Sequence, residues 1–130
     1  MNDSVNRILA AAHPVVPAPT RPEIICLCGS SRFIAATAVV AWEFEKAGKI
    51  TLAMHLLPAS YTSQADHQAE FEGCAAQMDE LHLRKIDLAD RVVVVNLGGY
   101  FGESTKREIA YARAHGKPVS FLEAVEPEND

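Results

Sequence analysis

From residue 23 onward, short apolar runs alternate with stretches of helical length, and nothing else in the 130-residue chain constrains its fold as strongly. The run "EIICLCG" (23–29) is nearly continuous in apolar residues and ends in glycine, which suits a strand buried on both faces. "SSRFIAATAVVAWEFEKAG" (30–48) has helical length, opens with serine and closes on Gly48, a helix stop. "KITLAMHLL" (49–57) reads as a second strand, "PASYTSQ" as a loop, and a long helix is expected from about Asp66 to Leu88. "RVVVVN" (91–96) is the strongest strand in the chain. A Gly-rich loop, a helix over Ser104–His115 and a last strand "KPVSFLE" (117–123) complete the pattern. Strands alternating with helices predict βαβ units and a small doubly wound, flavodoxin- or Rossmann-like parallel sheet of four to five strands flanked by helices. Ligands of such sheets bind at the carboxyl ends of the strands, so function is expected in "CGSSRF", "MHLLP" and "NLGGYFGES".

Residues 1–22 stand apart in composition: "HPVVPAPTRP" holds four of the seven prolines and reads as an extended N-terminal arm, leaving 23–130 as a single α/β domain. A net charge of −5 argues against a nucleic-acid surface but not against small nucleotides. No apolar run approaches a membrane span and no signal-peptide pattern opens the chain, so a cytoplasmic protein is expected. Cys26, Cys28 and Cys74 are odd in number and read as reduced, buried thiols; Cys26 and Cys28 alternate along one strand and share a face. A metal site would need further ligands, the five histidines form no helical ligand pair, and no metal is expected.

Three groups carry candidate chemistry. In "CGSSRF", Gly29, Ser30 and Ser31 present backbone N–H groups and hydroxyls at a helix N-terminus, and Arg32 can add a bidentate contact to an anion; otherwise this is an ordinary serine cap with a solvated arginine. Phe33 either stacks on a base or begins the buried face of the helix. In the second loop Gly98, Gly99 and Gly102 permit positive φ and close approach to a ligand, with Tyr100 and Phe101 between them. Thr105 and Glu108 fit the T-x-x-E capping box, in which the glutamate is either a purely structural cap or an ionised carboxylate held in the first helical turn, as a glycosidic nucleophile requires. In the long helix, Phe71, Ala75, Met78, His82, Ile86 and Ala89 fall on one stripe, so His82 interrupts an apolar face, either as a satisfied core histidine or as a functional group; Asp79, one turn earlier, is close enough to hydrogen-bond it and raise its pKa. Asp90 reads most simply as a turn residue.

The order "CLCGS", "LRKIDLADRVVVVN", a Gly-rich loop, "STKREIAYA" and "GKPV" resembles the nucleoside 2-deoxyribosyltransferase-like superfamily, which includes nucleoside 5′-monophosphate N-glycosidases. The resemblance covers residues 23–123 and is most specific over 86–119. It implies that Glu108, ahead of "IAYA", attacks the anomeric carbon. The family's Gly-Thr-x-x-Glu pattern reads Ser104-Thr105-Lys106-Arg107-Glu108 here, with Ser104 in place of the glycine. Gly29, Ser30, Ser31 and Arg32 match the loop that touches the sugar or its 5′-phosphate. Eight residues before Asp90, where the family carries an aspartate that assists the leaving base, this chain has His82. A histidinium can donate that proton, so the role would pass to His82 with Asp79.

The resemblance therefore implies cleavage or transfer at the N-glycosidic bond of a nucleoside or its 5′-monophosphate, without a cofactor, in a homodimer or larger assembly. "CGSS" and "GGYFGESTKRE" are also similar to the lonely-guy-type phosphoribohydrolases, although their loop proline and separate arginine are absent. A non-catalytic nucleotide-binding or sensor module using the same cleft is the alternative from another class, with Lys106 and Arg107 as charge contacts.

Overall fold

Alternating apolar side chains in two central strands feed two separate cores, one on each face of the sheet. A computed structural model describes residues 21–58, 60–63 and 67–125. The N-terminal arm, apart from Arg21 and Pro22, lies outside the described residues. The elements run β1 (Ile24–Gly29), a 3-10 turn (Ser31–Phe33), α1 (Ile34–Lys46), β2 (Ile50–Leu52), α2 (Gln68–Glu72), α3 (Ala75–Leu88), β3 (Arg91–Val95), a second 3-10 turn (Leu97–Gly99), α4 (Glu103–Ala114) and β4 (Val119–Phe121). The four strands are all parallel, in the order β2-β1-β3-β4. This is the mixed α/β, doubly wound architecture expected from the alternation.

Side-chain alternation explains the layering. Cys26 and Cys28 of β1 and Val92 and Val94 of β3 face one way, against Ile86 and Ala89 at the end of α3 and Ile109 and Ala112 of α4. Ile25, Leu27 and Val93 face the other way, against Val40, Ala41 and Phe44 of α1. β1 and β3 are in register from Ile25↔Arg91 to Gly29↔Val95. Gly29 is required at that last pair, because a Cβ there would sit 2.8 Å from the Val95 carbonyl oxygen.

Side chains close the ends of these elements. Asp90 does more than turn the chain: it accepts the Ile24 N–H at 2.8 Å and holds Arg21 through both guanidinium nitrogens. Lys117 donates to the Asp87 and Ala89 carbonyls, satisfying the C-terminal end of α3. Asn96, wholly buried, exchanges two hydrogen bonds with the backbone of Glu123 and so extends the β3–β4 pairing by a side chain.

Three expectations need correction. The long helix is two, because Gly73 takes a left-handed conformation (φ 75°) and ends α2 before α3 begins. The apolar stripe is fully buried only toward its C-terminal end: His82, Ile86 and Ala89 are inside, whereas Phe71 is 74% exposed and Met78 also faces out. The second strand pairs only over Ile50–Leu52, and residues 53–58 carry no regular structure.

Candidate functional site

The strand order reverses direction between β1 and β3, so the crevice of a doubly wound sheet falls at their carboxyl ends. The two loops singled out in the sequence leave from these ends and meet there. Arg32 stacks on Tyr100, with its guanidinium carbon 4.1 Å from the ring centroid, and Phe33 approaches the same ring edge-on at 6.2 Å. Ser30 caps the short turn by accepting the Arg32 N–H, and Ser31 follows within it. Gly98 and Gly99 have positive φ, as expected; Gly102 does not, with φ −92°, and lies instead against the Tyr100 hydroxyl. Ser104 accepts from Arg107, and Lys106 pairs with Glu103, so both basic residues have partners on their own helix.

Glu108 is not part of a capping box. The N-cap is Gly102, three residues before the Thr105 of the capping box, with no side-chain cap, which puts Glu108 in the second turn. Thr105, Glu108, Ile109 and Ala112 then form the buried stripe of α4, spaced i, i+3, i+4, i+7. This turns the Glu108 carboxylate, 6% exposed, toward the sheet, where Oε1 lies 3.8 Å from His82 Nε2. The same nitrogen is 3.2 Å from Cys28 Sγ and 3.7 Å from Cys26 Sγ. Two thiols, an imidazole and a carboxylate therefore converge inside the core formed by β1, α3 and α4.

Burial sets the electrostatics. It pushes the Glu108 carboxyl up to about 7, helped by the charges of Cys26 and Asp79 and opposed by His82 and the Cys28 thiol. This reverses the expectation of a carboxylate kept ionised by the helix dipole, because the second turn lies beyond the N-terminal N–H groups and inside the protein. The thiols split: hydrogen bonding from Cys28 brings Cys26 down to about 6 against burial, while Cys28 itself is raised by that same bond and by burial. Burial works to lower His82, but the Cys26 contact and the Glu108 charge outweigh it and the net direction is up.

Asp79 does not hydrogen-bond His82. It is exposed, while Nε2 faces the thiols and Glu108 and Nδ1 has no partner. Nδ1 is the one buried side-chain nitrogen or oxygen among the described residues left without a hydrogen bond. Sequence reasoning missed the place of Cys26 and Cys28 in this cluster, reading them only as reduced, buried thiols. The signal was present: a C-x-C strand segment and a histidine interrupting an apolar helix face both point polar groups into a core. Against family models, curated proteins and solved structures, the chain gives no match. Among the described residues no helix is long and apolar enough to cross a membrane.

Proposed function

We propose that the protein cleaves or transfers the N-glycosidic bond of a nucleoside or nucleoside 5′-monophosphate, as its resemblance to the nucleoside 2-deoxyribosyltransferase-like superfamily implies. The observation that carries this reading is Glu108, a buried carboxylate on the first helix after the sheet's switch point, adjacent to His82. In the reaction the ionised Glu108 carboxylate attacks C1′, the bond to the base breaks, and the departing base takes a proton from His82. Water or a second base then displaces the glutamate from C1′ and gives up its proton to His82, which restores both the carboxylate and the imidazolium. Arg32 supplies a cation for a 5′-phosphate, and Tyr100 and Phe33 supply faces for a base or sugar. Because Glu108 is nearly covered, the reading requires the Gly-rich loop before α4 to yield when substrate enters.

Incubation with a panel of nucleosides and 5′-monophosphates, with free base followed by chromatography, tests the proposal. Base release that disappears in Glu108→Gln supports it. Turnover should rise through about pH 7 as Glu108 ionises, and His82→Ala should slow poor leaving bases most. The second reading, a nucleotide-binding module without chemistry, is favoured by the exposed Arg32–Tyr100 stack. Saturable nucleotide binding with no base released across the panel would select it. The homodimer or larger assembly implied by the resemblance is read by light scattering.

A further inference from the structure

We propose that Cys26, Cys28, His82 and Glu108 form a binding site for a single thiophilic divalent ion of the zinc type. The proposal goes beyond the glycosidic reading and does not depend on it. Zinc bonds of about 2.3 Å to sulfur and 2.0 Å to nitrogen or oxygen place tetrahedral ligand atoms about 3.5 Å apart for S···N, 3.8 Å for S···S and 3.3 Å for N···O. Here Nε2 of His82 lies 3.2 and 3.7 Å from the two sulfurs and 3.8 Å from Oε1 of Glu108. The two sulfurs and the ring nitrogen all fall within 4.8 Å of one another. Three ligands are therefore assembled in the folded chain, and Glu108, beside Nε2 but outside that group of three, is the fourth.

The hydrogen-bonding capacity of His82 does not account for three neighbours around one ring nitrogen. An imidazole Nε2 offers one hydrogen or one lone pair, so it serves one of the three atoms that crowd it. An ion about 2 Å from Nε2 satisfies all three at once. The donor set also selects the metal, since thiolate and imidazole ligands favour zinc-like ions over magnesium or calcium. The ligands come from rigid elements: β1 supplies Cys26 and Cys28, α3 supplies His82 and α4 supplies Glu108. On binding, the two thiols lose their protons to solvent and His82 coordinates in its neutral form.

Cobalt serves as the spectroscopic probe. The reduced full chain, free of oxygen, is titrated with cobalt(II) chloride. One equivalent is expected to produce thiolate-to-cobalt charge-transfer bands and the visible bands of tetrahedral cobalt, and one equivalent of zinc should bleach both. Cys74→Ser should leave the spectrum unchanged, whereas Cys26→Ser with Cys28→Ser should abolish the charge-transfer bands. Glu108→Gln should keep those bands and shift the visible ones. The chain has three cysteines, so a thiolate band in Cys74→Ser can come only from Cys26 and Cys28, whether or not the double variant folds. Absence of thiolate bands in the unaltered chain, their loss in Cys74→Ser, or visible bands unmoved by Glu108→Gln would each overturn the four-ligand site. Base release plays no part in these readouts, so failure here and failure of the glycosidic reading are separate results.

Discussion

Glu108→Gln tests the electrostatics of the buried cluster through stability alone. The substitution keeps shape and volume and removes the ionisable group. Burial raises the Glu108 carboxyl from an ordinary 4.5 to about 7. A carboxyl whose folded pKa lies above its unfolded value binds its proton more tightly in the fold. Its contribution to stability is therefore full below the unfolded value and is lost as pH rises through the folded one. At about 1.4 kcal/mol per unit, the ionised carboxylate costs the fold about 3 kcal/mol once pH exceeds both values. Most of this, roughly 2–3 kcal/mol, develops between about pH 5 and about pH 8. His82, whose pKa is also raised and in part by Glu108, adds a loss of the same sign that sets in as pH rises above its ordinary value of 6.5. Urea unfolding followed by circular dichroism at several pH values gives the comparison directly. The glutamine variant should be close to the parent near pH 5 and gain on it by roughly 2–3 kcal/mol near pH 8. A difference between the two proteins that does not change with pH would refute the placement of Glu108 inside the core.

Three further outcomes test the frame around the site. Gly29→Ala should destabilise by about 1–3 kcal/mol, because its Cβ would press on the Val95 carbonyl and force β1 from β3; a urea midpoint equal to that of the parent would contradict the close approach. Asp90→Ala should cost about 1 kcal/mol by freeing the Ile24 N–H and Arg21. The Asp90 carboxyl is held below the usual range, first by Arg21 and then by the Ile24 N–H, so its contribution is present above the unfolded value and fades as pH falls below about 4. Acid titrations of parent and variant should converge there. Lys117→Met should lower the melting temperature by removing the donors to the Asp87 and Ala89 carbonyls, at a cost of about 1–2 kcal/mol; an unchanged melting temperature would show that those carbonyls are satisfied otherwise.

Sequence periodicity was enough to identify a parallel α/β sheet, because β1 and β3 are apolar on both faces and such strands need helices above and below. It singled out Glu108 for a mistaken local reason. Thr105 looks like a better cap than Gly102, and a cap there places the glutamate one turn too near the helix start. The correct stripe of Thr105, Glu108, Ile109 and Ala112 was visible in the spacing, but a stripe containing a glutamate does not read as a core face until something is known to lie opposite it. His82 was likewise seen to interrupt an apolar face, and Cys26 and Cys28 to share one. That these two faces meet is a fact of packing between residues 54 and 56 positions apart, and no local pattern encodes it. The Asn96–Glu123 clasp was missed for the same reason.

The cluster does not contribute to the fold as an apolar core would. Each buried polar group left poorly satisfied costs about 1–3 kcal/mol, and here one imidazole nitrogen has no partner while the other is shared among three atoms. Valine and isoleucine already fill the rest of that layer, so apolar residues at these four positions would pack against the same neighbours without the penalty. The cluster is therefore better explained by what it can bind or do than by what it stabilises. The proposed nucleophile and the proposed metal ligand are two such uses, and they make opposite demands on one carboxylate: attack on C1′ needs a free lone pair on Glu108, and coordination occupies it. If both proposals hold, a chain loaded with zinc is silent toward nucleosides and one stripped of metal is competent. The occupancy of Cys26, Cys28 and His82 would then decide which chemistry Glu108 performs.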